Sequence, residues 1–124
     1  ERRAVPRTTL ANRPAARVQG LREVRLLDLS HTGAQIEHLD LLRPRAACIL
    51  ELPLPARPLR LPAQVVWCAV VGRRHTFEGA SRLVAHSGLR FAPLTAAQHA
   101  ALADSLPYLA AARPPTLDSQ QRSA

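Results

Sequence analysis

The stretch Leu59-Arg60-Leu61-Pro62-Ala63-Gln64-Val65-Val66-Trp67-Cys68-Ala69-Val70-Val71 carries the clearest two-residue period in the chain. Its odd positions (Leu59, Leu61, Ala63, Val65, Trp67, Ala69 and Val71) are all apolar, as on a strand that buries one face. The period predicts a long strand with Trp67 on the core side. Pro62 falls on the opposite face, which suits an edge or a bulge near the strand's start. Upstream, Pro53, Pro55 and Pro58 rule out a central strand, and residues 46–52 alternate with Cys48, Leu50 and Leu52 on one side. Downstream, Gly72-Arg73-Arg74-His75 reads as a polar hairpin, with strand character resuming over residues 76–91.

Further out, residues 18–30 are strand-like, Ser30-His31-Thr32-Gly33 is a turn signal, and residues 33–37 place Ala34 and Ile36 on one face. Residues 1–16 hold Arg2, Arg3, Arg7 and Arg13 with two prolines and no apolar period, the signature of an extended, flexible arm. Beyond Phe91 the period becomes helical. Thr95-Ala96-Ala97-Gln98 is a capping box, and Leu102, Leu106 and Leu109 line one face of a helix over 95–112. Pro107 predicts an end or a kink near Leu106, and the polar residues 113–124 read as a disordered tail. Five or six short strands followed by one helix predict a mainly β fold, a closed or nearly closed antiparallel barrel with a C-terminal helix. Periodicity alone does not separate this from an OB-fold or an SH3-like module.

The 124 residues suffice for one domain with a modest core, and 47% hydrophobic with 21% charged residues is a globular composition. No apolar run approaches the ~20 residues of a membrane span, and no signal-peptide pattern is present, so the expected location is cytoplasmic. Cys48 and Cys68 lie in apolar segments and read as small buried hydrophobes, with no metal-ligand spacing around them. All 17 basic residues are arginine, and the net charge of +8 favours an anionic partner. An Ala-, Leu-, Pro- and Arg-rich chain is also what GC-rich coding produces, so placement matters more than count. The chain contains no methionine and starts at Glu1, which suggests a domain of a longer protein.

Two local patterns give placement. Arg3-Ala4-Val5-Pro6-Arg7 is an R-x-x-x-R spacing preceded by Arg2, and Asp28-Leu29-Ser30-His31-Thr32-Gly33 is a D-x-S-x-x-G turn some twenty residues later. Alone, each is ordinary: Asp28 and Ser30 can satisfy backbone donors, and Gly33 can supply a positive φ. In this order they resemble the two-part signature of the PilZ family. Val65-Val66-Trp67 resembles that family's central strand, and Gly88-Leu89-Arg90-Phe91-Ala92-Pro93-Leu94 its last strand leading into the helix.

The resemblance spans nearly the whole chain. It implies a six-stranded antiparallel split barrel over 17–93 with a C-terminal helix, together one PilZ domain over 1–112. It also implies a ligand, the bacterial second messenger cyclic di-GMP. Arg3 and Arg7 would take its phosphates and guanines, Asp28 and Ser30 would bond a guanine donor edge or orient the arginines, and Gly33 would let the backbone approach. Arg2 would favour two nucleotides per domain, and Trp67 would serve as an aromatic wall. A guanidinium suits this chemistry because it forks onto guanine O6 and N7 or onto phosphate oxygens and stacks on purines, as lysine does not.

The resemblance also implies a regulatory module acting on an attached domain or a separate effector, with no cofactor. No catalytic constellation is visible. His31, His38, His75, His86 and His99 are scattered and read as solvated, and Ser30 lacks a nucleophile-elbow context. Two alternatives stand beside this reading. One is a nucleic-acid-binding barrel, weakened by an aromatic content of only 3%. The other is a PilZ-like scaffold without ligand, weakened by the complete motif.

Overall fold

The computed structural model describes residues 7–75 and 79–112. Seven strands precede one helix: β1 (Thr8–Thr9), β2 (Ala15–Val18), β3 (Val24–Leu29), β4 (Gly33–Leu39), β5 (Ala47–Leu52), β6 (Leu59–His75), β7 (Ser81–Phe91) and α1 (Ala96–Ala111). The strands run in the order β1-β3-β2-β5-β6-β7-β4, every pair is antiparallel, and a β3–β4 pairing closes the sheet on itself. β1 and β2 occupy successive parts of one edge of β3, with Thr9 opposite Asp28 and Ala16 opposite Val24. They therefore share one of six positions in the ring. The mainly β fold with a C-terminal helix is the one the sequence predicts.

Inward-facing residues alternate along each strand and fill the ring. Leu26 and Leu29 on β3, Ile36 on β4, Leu50 and Leu52 on β5, and Leu61 on β6 are fully buried. Each such side chain stabilises the fold by roughly 1.5–3 kcal/mol relative to an exposed one. Pro62 sits opposite Ile49, and its carbonyl accepts from the amide of Ala92. Its missing donor thus faces the side where β7 has already ended.

Several elements differ from expectation for identifiable reasons. The stretch 18–30 is two strands, broken where Gly20 and Glu23 take φ of 87° and 52°. Gly72 to His75 remain in β6, paired with residues 81–84 of β7, and form no hairpin. Of the segment read as a flexible arm, residues 8–9 and 15–16 are in the sheet, and Leu10 is buried in the core at 2% exposure. A lone leucine in a basic segment carries no period, so the pattern missed it. His38 is not solvated: it is 1% exposed, with Nε2 2.8 Å from Ser87 Oγ and Nδ1 3.3 Å from the Leu39 carbonyl. Burial pushes its pKa down, and the neutral ring can donate to the carbonyl while accepting from the hydroxyl.

Helix α1 begins as predicted, with Thr95 as N-cap and the reciprocal Gln98 bond completing the box. It does not end near Leu106 but runs through Pro107 to Ala111. Leu102 and Leu109 are buried on either side of the proline, so packing holds both halves. Asn12 adds a clamp: its side-chain amide donates to the carbonyls of Leu109 and Ala112, both at 2.8 Å. Both carbonyls lie at the helix end, beyond the reach of intrahelical i+4 donors, and among the described residues Leu109 otherwise receives only the Ala112 amide at 3.3 Å. Asn12→Ala is expected to lower stability by about 1–2 kcal/mol. Chemical denaturation checks this, with the loss concentrated in faster amide exchange after Pro107.

Candidate functional site

The two-residue strand period is broken at three places, once on β3 and twice on β6 (the second between Val70 and Gly72), and two of the breaks serve the same patch of the outer face. Register slips between Leu26 and Asp28 on β3, and between Val65 and Trp67 on β6. Leu27 and Val66 are therefore extra residues, each of which shifts the side chains beyond it to the other face. Leu26 and Leu29 both point inward as a result, and Asp28 between them points out. Val65 is buried at 1% while Trp67 is 39% exposed. Trp67 is thus not on the core face that its odd-numbered position predicts.

Register then aligns these residues. Thr9 lies opposite Asp28, Asp28 opposite Gln35, Gln35 opposite Gly88, and Gly88 opposite Trp67. One row crosses β1, β3, β4, β7 and β6, with an acid near one end and an indole at the other. The next row holds Gly33 opposite Arg90, and Arg90 opposite Gln64. Arg7, Ser30, Gly33, Trp67 and Arg90 all border one cleft of about 410 Å³.

The β3–β4 turn is organised by Ser30. Its amide donates to the Gly33 carbonyl at 2.9 Å, and its hydroxyl oxygen accepts from the amides of Thr32 and Gly33, each at 3.2 Å. Thr32 Oγ1 lies 3.2 Å from the same hydroxyl. The serine is 8% exposed, so its oxygen is chiefly a turn-former with its edge on the cleft. Gly33 does not have positive φ; it is a glycine because a Cβ there would collide with the Leu89 carbonyl oxygen. What approaches it closely in the structure is strand β7.

Charge completes the site. Arg7 Nη1 lies 3.6 Å from Asp28 Oδ2, the arginine 58% exposed and the carboxylate 14%. Burial raises the Asp28 carboxyl above its ordinary value of 3.8, opposed by the Arg7 charge and by the Gln35 backbone amide. Arg90 is exposed and forms no ion pair with a described carboxylate. The cleft and its margin thus offer guanidinium groups, a half-buried acid held against Arg7, a hydroxyl and an indole: forked donors for an anion, acceptors for an amine edge, and a flat apolar wall.

Of the predicted site residues, the structure brings Arg7, Asp28, Ser30, Gly33 and Trp67 together. Arg2 and Arg3 lie outside the described residues. Sequence reasoning missed Gln35, Gly88 and Arg90. Gln35 and Arg90 occupy polar positions of alternating strands, where one side chain is no different from another. An isolated glycine in a strand, as at position 88, does signal a close approach and could have been found.

A family model of the PilZ domain matches residues 1–106. Among solved structures, the chain is similar to the PilZ domain with c-di-GMP of YcgR from Escherichia coli, with a TM-score of 0.66 and 16% identity over 88% of this chain and 92% of that one. No curated protein matches the sequence. The ring of strands, its C-terminal helix and the family match over most of the length lead to one conclusion: the chain belongs to the PilZ domain family.

Proposed function

We propose that this domain is a receptor for cyclic di-GMP. Arg3 and Arg7 supply the phosphate and guanine contacts, Asp28 and Ser30 address a guanine edge or hold the arginines, and Gly33 brings the turn onto the sheet. Trp67 walls the ligand. The observation that carries this reading is the convergence of Arg7, Ser30 and Trp67 on one cleft, with Asp28 beside it against Arg7 and bulges turning both Asp28 and Trp67 to the outer face. The match to the PilZ family, and the likeness to a domain described with c-di-GMP, support the choice of ligand.

Each guanidinium contact to the dianionic ligand contributes roughly 1.5–3 kcal/mol, so a few suffice for micromolar binding after the arm is ordered. Arg2 adds a third guanidinium beside the pair and favours two nucleotides per domain. The bound ligand changes the surface presented to an attached domain or a separate effector, in a cytoplasmic setting and without catalysis. Among the described residues no helix is long and apolar enough to cross a membrane.

Calorimetric titration tests the proposal. The wild type should bind cyclic di-GMP with a ratio near two, and Arg3→Ala and Arg7→Ala should each weaken it about tenfold or more. No heat up to about 100 μM ligand sinks the reading. A ratio of one rejects the role given to Arg2. Tight binding of an unrelated oligonucleotide that disappears at high salt favours a nucleic-acid function instead.

Asp28 gives a second test. Its folded-state pKa is raised, so the protonated side chain favours the fold. That contribution is present below 3.8 and is lost as pH rises through the folded pKa. Asparagine is neutral at every pH and keeps it. Asp28→Asn should therefore raise the thermal midpoint at neutral pH, match the wild type at about pH 3, and bind ligand more weakly. A lower midpoint at neutral pH would mean that the Arg7 pair outweighs burial.

A further inference from the structure

Gly88 lies in the row Asp28–Gln35–Gly88–Trp67, in the middle of β7, paired on both sides. Glycine weakens a strand interior by roughly 0.5–1 kcal/mol relative to alanine, so its presence there needs a cause. The backbone gives none: the glycines with positive φ are Gly20 and Gly79. The neighbour does. A Cβ on Gly88 would collide with Nε1 of Trp67 and lie 2.7 Å from Cε2 and 2.9 Å from Cδ1. The pyrrole edge of the indole occupies the volume where a side chain at 88 would stand.

The Val66 bulge and the glycine therefore act in sequence. The bulge turns Trp67 to the outer face, and the bare backbone at 88 lets the ring lean over β7 from β6 instead of projecting into solvent. Half-covered in this way, at 39% exposure, the indole keeps a surface toward the cleft that Ser30, Gly33 and Arg7 border. We infer that Gly88 is a positioning residue for this aromatic wall: its missing side chain sets the ring's height above the sheet, and with it the room left for a planar purine. The inference rests on the receptor reading for the ligand but on geometry alone for the ring.

Trp67 is the sole tryptophan, so its emission reports on the site directly. Gly88→Ala should shift that emission to longer wavelength and make it more accessible to acrylamide. It should also weaken cyclic di-GMP binding about fivefold or more, the scale of a lost base–aromatic stack. In a Trp67→Ala background the same glycine substitution should leave affinity unchanged, because the double-mutant cycle removes the ring through which Gly88 acts. Unchanged emission in Gly88→Ala overturns the inference, and so does an equal loss of affinity in both backgrounds. If Gly88→Ala alone does not fold, recovery of the fold in the double variant supports it and continued failure overturns it. A wild type that binds no cyclic di-GMP defeats the receptor reading, while the emission shift still decides the seating of the ring.

Discussion

Two extra residues, Leu27 in β3 and Val66 in β6, allow one sheet to serve both a core and a site. A strand with an unbroken period of two must keep the same set of side chains inward along its whole length. Here Leu26 and Leu29 both reach the core, and Val65 does so just before Trp67 leaves it. Were Leu27 or Val66 instead paired in regular alternation, with no bulge, the unbroken period would carry Asp28 or Trp67 toward the apolar interior. The bulges are separated by β4 and β7, yet register sets their products in one row. The site is therefore a property of the ring's closure. Without the β3–β4 pairing, the row that joins Asp28 to Trp67 through Gln35 and Gly88 would be cut between its first two members.

The same closure explains the turn. Ser30 and Gly33 hold β3 and β4 in a tight reversal whose backbone meets β7 at the Leu89 carbonyl, closer than any side chain permits. Asp28 sits just upstream, partly desolvated by that packing. Its charge is opposed by burial and favoured by Arg7 and the Gln35 amide. A half-buried acid beside an exposed guanidinium is poorly optimised for stability, and such compromises concentrate where a protein must meet a charged ligand.

The parts visible in the sequence are those fixed by local chemistry. Thr95 and Gln98 announced the helix start because a capping box is satisfied within four residues, and Asp28, Ser30 and Gly33 announced a turn for the same reason. The alternation in residues 46–52 gave β5 almost to the residue. The failures lie where tertiary contacts override local signals. Trp67 continued an apolar period that a bulge interrupts, and nothing in Val65-Val66-Trp67 marks which valine is the extra one. Pro107 stays helical because Leu102, Leu109 and Asn12 hold the segment around it. His38 is buried because Ser87, some fifty positions away, supplies its partner. Gly33 was legible as a necessary glycine, but its reason is the neighbouring strand and not its own dihedral angle.

The bond between Asn12 and the end of α1 has an architectural consequence. It fastens the link between β1 and β2 to the last carbonyls of the helix, so the strand pair that edges β3 and the C-terminal helix are tied at one point. A displacement of β1, which follows Arg7 directly, therefore has two routes onward: across the sheet through β3, and through Asn12 to the helix terminus.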